Sequence, residues 1–132
     1  MMRRRVVVDT NVLVYATFED SERHEEAYSV LQRYEAVVPY IVLYEYLWVL
    51  AKLTRNSAFL ELKLKELEDF ELVCEDPETV RRGVALMRED GAPPEMLNDY
   101  IVLSAALREG ALATYDRKLR SLASRSKITI IP

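Results

Sequence analysis

The chain has 132 residues, of which half are hydrophobic and 30% charged, so it is long enough for one domain with a buried core and is not a disordered chain. Its single cysteine, Cys74, excludes an internal disulfide framework, and we expect a cytoplasmic protein. The net charge of −4 excludes a uniformly basic polyanion binder, and no apolar run is long enough to indicate a membrane partner. We therefore expect residues 1–132 to form a single domain.

Short apolar segments alternate with amphipathic segments along the chain. In chain order, we predict strands at residues 6–8, 37–38, 72–74, 111–115 and 128–131. We predict helices at residues 10–18, 23–34, 40–53, 57–69, 77–89, 98–109 and 117–121. Ser21 and Asn98 are expected to cap two of these helices, and Gly110 to end one. This alternation predicts a three-layer α/β/α fold with a central parallel sheet, in which sites lie beyond the carboxyl ends of the strands.

Two aspartates each follow a predicted strand, Asp9 after residues 6–8 and Asp116 after residues 111–115. Because the carboxyl ends of parallel strands share one edge of a sheet, both side chains are expected at that edge. Either residue alone is explained equally well as the N-cap of the helix that follows it. Together they indicate a site.

Two further acids, Glu45 and Asp99, have apolar neighbours within their predicted helices. The residues three or four positions from Glu45 are Ile41, Val42, Trp48 and Val49. We therefore expect Glu45 on the buried stripe, where a carboxylate is costly unless it is paired or bound to a metal ion. The alternative is a tilted helix in which Glu45 reaches water. Asp99 also complements the helix dipole in a first turn, and this role is compatible with a site.

Several carboxylates that lie close together repel one another unless a cation neutralises them. Ligation by oxygen alone favours Mg²⁺ or Mn²⁺, whereas His24 and Cys74 are too few and too far apart for a zinc site. His24 lies among charged residues and is expected on the surface of a helix. The chemistry that we expect is hydrolysis of a phosphodiester by metal-activated water.

Four features of the chain together resemble the motifs of the PIN domain family. The segment DTNVLVYA at residues 9–16 resembles its opening motif, and Glu45 in an apolar helix resembles its mid-chain glutamate. The segments NDYIVLSAAL at residues 98–107 and LATYDRKL at residues 112–119 resemble its third acidic motif and its Thr-x-Asp motif. The order and spacing match over nearly the whole chain.

This resemblance implies a five-stranded parallel sheet, Mg²⁺ or Mn²⁺ as cofactor, and endonuclease activity on RNA. The residues that would hold the metal are Asp9, Glu45, Asp99 and Asp116, and Asn11 and Thr114 would support them through hydrogen bonds. The compact size is most similar to VapC-type toxins of toxin–antitoxin pairs, which implies a cognate antitoxin. A homodimer is expected from this resemblance and from the apolar richness of residues 40–53 and 59–70.

Basic residues follow Asp116 closely. Arg117, Lys118 and Arg120 are candidates for contacts with the RNA backbone, although a solvated basic face is the simpler explanation.

Sequence alone does not exclude four other functions. A stand-alone PIN nuclease in RNA processing would share all the motifs, and a metal-free PIN-like scaffold is disfavoured by the complete acid set.

A haloacid-dehalogenase-like phosphatase also places an aspartate after its first strand. That chemistry requires a second aspartate two positions later, where this chain has Asn11. A receiver-type phosphoacceptor domain would need an acidic pair after its first strand and an aspartate after a central strand. Glu75 and Asp76, which follow residues 72–74, imitate part of that pattern but leave Glu45 and Asp99 unexplained.

Overall fold

The computed structural model describes residues 3–132. Its centre is a parallel sheet of five strands, in the order β3-β2-β1-β4-β5. The strands are β1 (Arg5–Val8), β2 (Glu35–Pro39), β3 (Glu71–Val73), β4 (Ala111–Ala113) and β5 (Thr129–Ile131). Val6, Val7 and Val8 are fully buried, as expected for a central strand covered on both faces. The predicted five-stranded parallel sheet is therefore confirmed.

Within the described residues, seven α-helices connect and cover the strands. They are α1 (Thr10–Thr17), α2 (His24–Arg33), α3 (Tyr40–Thr54), α4 (Ser57–Leu67), α5 (Pro77–Asp90), α6 (Leu97–Glu109) and α7 (Arg117–Arg125). Right-handed crossovers place α1 to α4 on one face of the sheet and α5 to α7 on the other. The packing of α1 with α2 and α3, and of α6 with α5 and α7, agrees with this three-layer arrangement. No helix within residues 3–132 is long and apolar enough to cross a membrane.

Strands β1 and β4 are hydrogen-bonded neighbours, and the strands that follow each of them are added on opposite sides of this pair. The connections from β1 lead towards β3, whereas the connection from β4 leads to β5 at the opposite edge. Such a switch point opens a crevice beyond the carboxyl ends of the two strands. Asp9 follows β1 directly and Asp116 lies three residues beyond the end of β4, so both aspartates lie at this crevice.

Three details of the predicted helices are wrong. Asn98 does not cap a helix, because a 3-10 turn at Pro94–Met96 leads directly into α6, which begins at Leu97. Ser21 does not cap α2; its hydroxyl donates to the carbonyl of Tyr15 instead. The last helix extends beyond residue 121 to Arg125, because Leu122 and Ala123 are buried on the same side as Leu119.

Helix α6 is fixed against its neighbours over most of its length. Its residues from Tyr100 to Ala106 are buried, and the Tyr100 hydroxyl donates to Asp90 Oδ2 over 2.6 Å. Gly83 of α5 faces this region, and a Cβ at that position would lie only 3.0 Å from the Tyr100 carbonyl oxygen. This close helix packing holds Asp99, the residue before Tyr100, in a defined position over the crevice.

Candidate acidic metal site

A cavity of about 300 Å³ opens at the switch point, and all four predicted acids line it. Asp9 and Asp116 come from the ends of the strands, Glu45 comes from α3, and Asp99 comes from the first turn of α6. Asn11, Asn98, Thr10 and Tyr15 contribute further polar wall atoms. Side chains from four separate parts of the chain thus meet in one concave space.

Asp9 is held by two hydrogen bonds, one to each of its carboxylate oxygens. The backbone N–H of Thr10 donates to Oδ1 over 2.9 Å, which makes Asp9 the N-cap of α1. The hydroxyl of Thr114 donates to Oδ2 over 2.7 Å. Burial raises the pKa of Asp9, these two hydrogen bonds oppose the rise, and the negative charges of Glu45 and Asp116 add to it.

Thr114 also connects Asp9 to Asp116. It is completely buried, and its Oγ1 accepts the backbone N–H of Asp116 over 3.1 Å while it donates to Asp9. Because the N–H of Asp116 donates to the Thr114 side chain, the chain turns here, and β4 ends at Ala113 and not at residue 115 as predicted. The supporting hydrogen bond expected of Thr114 is thus present in the structure.

Asp116 is oriented by the helix that follows it. Its Oδ1 accepts the N–H groups of Lys118 and Leu119 at 2.8 and 3.2 Å, so it is the N-cap of α7. Asn11 acts on the same turn, because its Oδ1 accepts the N–H of Tyr115 over 3.1 Å. Asn11 therefore does not contact an acid directly; it fixes the backbone immediately before Asp116. Asp9 and Asp116 therefore each cap a helix and also line the cavity.

Glu45 is exposed, and the expectation that it lies on the buried stripe of its helix is wrong. The buried residues of α3 are Val42, Leu43, Tyr46 and Leu50, so the apolar stripe is rotated away from Glu45. Glu45 instead faces the open cavity, which Ile41, Val42 and Val49 also line. Its carboxylate is thus half-surrounded by apolar side chains and can still reach water.

Asp99 lies close enough to the other three carboxylates for their charges to affect its acidity. Partial burial, followed by the negative charges of Asp116, Asp9 and Glu45, raises its pKa to about 6. The positive charge of Lys118 opposes this rise. The effect of three separate carboxylates on one group shows that the four acids share one electrostatic environment.

The donor set fits a hard divalent cation. None of the described residues that line the cavity is Lys, Arg or His, so no side chain of the wall neutralises the carboxylates. Thr10, which also lines the cavity, has a buried hydroxyl with no hydrogen-bond partner among residues 3–132. This hydroxyl is the one feature of the wall that the sequence did not indicate, because a threonine in a first helical turn is common.

Across residues 3–132, no three His, Cys, Asp or Glu side chains are grouped closely enough to enclose a metal ion by direct contact. The four acids line the cavity without forming a tight cluster. Mg²⁺ commonly keeps several water ligands and takes only one or two carboxylates directly, so this spacing is compatible with such an ion.

The basic residues near Asp116 differ in what they contact. Arg117 and Lys118 are exposed in the first turn of α7. The guanidinium of Arg120 instead donates to the carbonyl oxygens of Thr114 and Pro132, at 2.9 and 3.1 Å. These bonds hold Arg120 against the segment that follows β4, and its contact with RNA stays a prediction.

An aromatic cluster borders the cavity on the side of Asp116. The rings of Tyr15 and Tyr115 meet edge to face at 5.3 Å, and the Arg23 guanidinium lies 4.5 Å above the Tyr115 ring. The Tyr115 hydroxyl donates to Glu26 over 2.8 Å. His24 is partly buried at the start of α2, where its Nδ1 lies 3.1 Å from the Tyr15 carbonyl oxygen.

The fold and the acidic cavity define a class of parallel α/β proteins whose site lies at a switch point of the sheet. The carboxylates of the site have no basic side chain among the described residues of the cavity wall to neutralise them, as in sites for hard cations. The PIN domain family model matches residues 6–124, and the chain belongs to this family of nucleases, whose members generally depend on divalent metal ions. Among curated protein sequences, none matches the chain significantly.

Several solved structures share the fold. The sarcin–ricin-loop-cleaving toxin VapC20 of Mycobacterium tuberculosis has a TM-score of 0.73 at 15% identity, over 89% of this chain and 94% of that chain. VapBC2 of Rickettsia felis, bound to a promoter DNA fragment, has a TM-score of 0.70 at 17% identity, over 96% of both chains. A toxin–antitoxin complex from Klebsiella pneumoniae has a TM-score of 0.68 at 22% identity, over 86% of this chain and 88% of that chain.

Proposed function

We propose that this chain is a metal-dependent endoribonuclease and the toxin of a toxin–antitoxin pair, acting as a single PIN domain. The observation on which the proposal depends is the set of four carboxylates that line one cavity without a basic side chain among them. Asp9, Glu45, Asp99 and Asp116 would hold Mg²⁺ or Mn²⁺ there. The family membership and the toxin–antitoxin proteins that share the fold support the assignment.

When bound, the metal would act as a Lewis acid towards a water molecule and a phosphate oxygen of the RNA. The task of the chain is to keep the carboxylates in place. Thr114 and the Thr10 N–H hold Asp9, and the first turn of α7 holds Asp116. Preorganised ligands of this kind lose little freedom when the metal and substrate bind.

The first turn of α7 is suited to an RNA phosphate. Arg117 and Lys118 are exposed at a helix N-terminus, where cations oppose the helix dipole, and that turn contains no acidic residue. Because these charges do not favour the helix, a role in binding an anion is a better explanation than a role in stability. They are adjacent in sequence to Asp116 and therefore lie close to the cavity.

The assembly that we propose is a homodimer, together with a complex with a cognate antitoxin. Tyr44 and Trp48 are 64% and 61% exposed one turn apart on α3, and Leu53 of the same helix is 63% exposed. Tyr44 and Trp48 lie on one face of α3, whereas Leu53 lies on the opposite side of the helix from Tyr44, and adjacent exposed side chains such as the first two favour burial against another protein surface. The toxin–antitoxin complexes among the structures of the same fold support an antitoxin as the second partner.

The competing phosphatase and receiver functions have less support. The family membership opposes both. Glu75, which imitated part of a receiver pattern, is bound to a backbone N–H of α3 and lies outside the acidic cavity. A stand-alone PIN nuclease differs from a toxin only in its biological partner, and a short antitoxin-like reading frame beside the gene would distinguish the two.

The decisive experiment is incubation of the purified protein with end-labelled tRNA and rRNA, with Mn²⁺ or with chelator. We expect discrete fragments with Mn²⁺, none with chelator, and none from the Asp116→Asn variant with either. Glu61→Gln, which changes an exposed carboxylate on α4, is the matched control and should cleave like the wild type. Equal cleavage with chelator would refute metal dependence, and equal cleavage by Asp116→Asn would refute the assigned site.

A further inference from the structure

A carboxylate outside the cavity contacts the helix that carries Glu45. Glu75 lies two residues beyond the end of β3, and its Oε1 accepts the backbone N–H of Ile41 over 2.7 Å. The strand register explains the contact, because the last residues of the two strands, Val73 and Pro39, are paired, and Glu75 and Ile41 each lie two residues beyond them. Two segments that are 34 residues apart in sequence are thus joined where α3 begins.

Helix α3 has no cap of its own. Its N-cap residue is Pro39, which provides no side-chain acceptor, and its first turn contains no acidic residue. The first N–H groups of a helix need acceptors from elsewhere, and a carboxylate near this end also complements the helix dipole. The Glu75 carboxylate supplies both the acceptor and the negative charge, and a hydrogen bond to a charged acceptor is a strong one.

The capped turn is also part of the acidic site. Ile41 lines the cavity, and Glu45 lies four residues later on the same face of α3. A shift or rotation of the first turn would therefore move Ile41 and Glu45 together. Errors of about 1 Å in the position of a catalytic group are enough to reduce catalysis about 100-fold.

We propose that Glu75 is a positioning residue for the metal site, which sets the placement of Glu45 through the first turn of α3. The inference rests on the proposed metal-dependent function. Glu75 does not line the acidic cavity; it faces a separate cavity that Cys74 and Arg108 also line. Its effect on metal binding therefore passes through α3 and not through direct ligation.

The chain offers a closely matched control. Asp76, the next residue, caps α5 by accepting both the backbone N–H and the hydroxyl of Thr79 at 2.8 Å. Helix α5 contributes no residue to the acidic cavity. Asp76→Ala thus removes a comparable helix-capping carboxylate, together with the 3.0 Å contact from its Oδ2 to Arg108, which lies nine residues from Asp99 on α6.

The test compares the apparent Mn²⁺ affinity of four proteins: wild type, Glu75→Ala, Glu75→Gln and Asp76→Ala. The affinity is measured by calorimetric titration and by metal-dependent shifts in melting temperature. Glu75→Ala should bind Mn²⁺ about tenfold more weakly, as is typical when a residue that supports a ligand is lost. Glu75→Gln keeps an oxygen acceptor and should restore most of the affinity. Asp76→Ala should lower the melting temperature and leave the affinity unchanged.

Glu75→Asp is the second variant, since it keeps the charge but shortens the side chain by one methylene. Wild-type affinity in both Glu75→Ala and Glu75→Asp would overturn the inference, as would an equal loss of affinity in Asp76→Ala. Absence of Mn²⁺ binding by the wild type would instead refute the proposed function, and this inference with it. The wild-type titration therefore distinguishes the two failures.

Discussion

Replacing Asp99 by Asn should stabilise the metal-free protein, although it removes a residue of the site. Burial and three neighbouring carboxylates raise the pKa of Asp99 to about 6, from an ordinary value of 3.8. The charged form of Asp99 is therefore disfavoured by folding. Asn keeps the shape of the side chain and removes the charge, so it relieves this cost.

The expected magnitude follows from the pKa. A rise of roughly two units corresponds to about 3 kcal/mol at neutral pH, at about 1.4 kcal/mol per unit. Asp99 is only partly buried, and solvent screening reduces this to about 1–2 kcal/mol. Loss of a negative charge from the first turn of α6 offsets about 0.5 kcal/mol. A net gain of about 1 kcal/mol raises the melting temperature of a chain of this length by about 4 °C.

The gain should depend on pH in a definite direction. Below the unfolded pKa near 4, Asp99 is protonated in both states and its charge costs nothing. Between pH 4 and about 6 the folded state binds more protons than the unfolded state, so wild-type stability falls as pH rises. The advantage of Asp99→Asn should thus be absent near pH 4 and complete above pH 7.

The assay is thermal unfolding of wild type and Asp99→Asn from pH 4 to 8, with chelator and with Mn²⁺. At a hundredfold excess over its dissociation constant, Mn²⁺ should stabilise the wild type by about 2.7 kcal/mol and the variant much less. Glu61→Gln makes the same charge change on an exposed part of α4 and should shift neither curve. Equal responses of wild type and Asp99→Asn to pH and to Mn²⁺ would refute the shared site.

Three further perturbations test other parts of the molecule. Thr114→Val removes the donor to Asp9 and should weaken Mn²⁺ binding about 10- to 100-fold in a titration, and an unchanged affinity would show that this hydrogen bond does not support the site. Replacing both Arg117 and Lys118 by Ala should reduce the steepness with which the logarithm of RNA affinity falls with the logarithm of salt concentration, by about 0.7 per lost contact. Filter binding measures this slope, and an unchanged slope would mean that the two residues form a solvated face. Trp48→Glu should convert a dimer to a 15.3 kDa monomer in light scattering, and a monomeric wild type would contradict the proposed assembly.

Much of the fold follows from local sequence pattern. The apolar β-branched run at Val6–Val8 predicts a buried central strand, and the alternation of strands with helices predicts a parallel sheet. Pro77 and Gly110 mark a helix start and a helix end correctly, because their backbone preferences are local properties. The placement of Asp9 and Asp116 at one edge follows from their positions after parallel strands, and the structure agrees.

The exact ends of two elements were not predictable in this way. Asn98 has the chemistry of an N-cap, yet α6 begins one residue earlier because the 3-10 turn before it is continuous with the helix. Strand β4 ends two residues early because Thr114 accepts the N–H of Asp116. At the turn after β4, Asn11 also accepts the N–H of Tyr115 across 104 residues of sequence, a contact that a pattern along the chain does not contain.

The sequence by itself determined which acids belong together, because their order and their positions relative to strands and helices are local features. The tertiary structure alone decided how those acids are held. It showed that α3 is rotated so that Glu45 faces an open cavity, since burial depends on what packs against a helix and not only on its own periodicity. It also showed that Glu75 caps that helix, a contact created by the pairing of β3 with β2, between residues far apart in the chain.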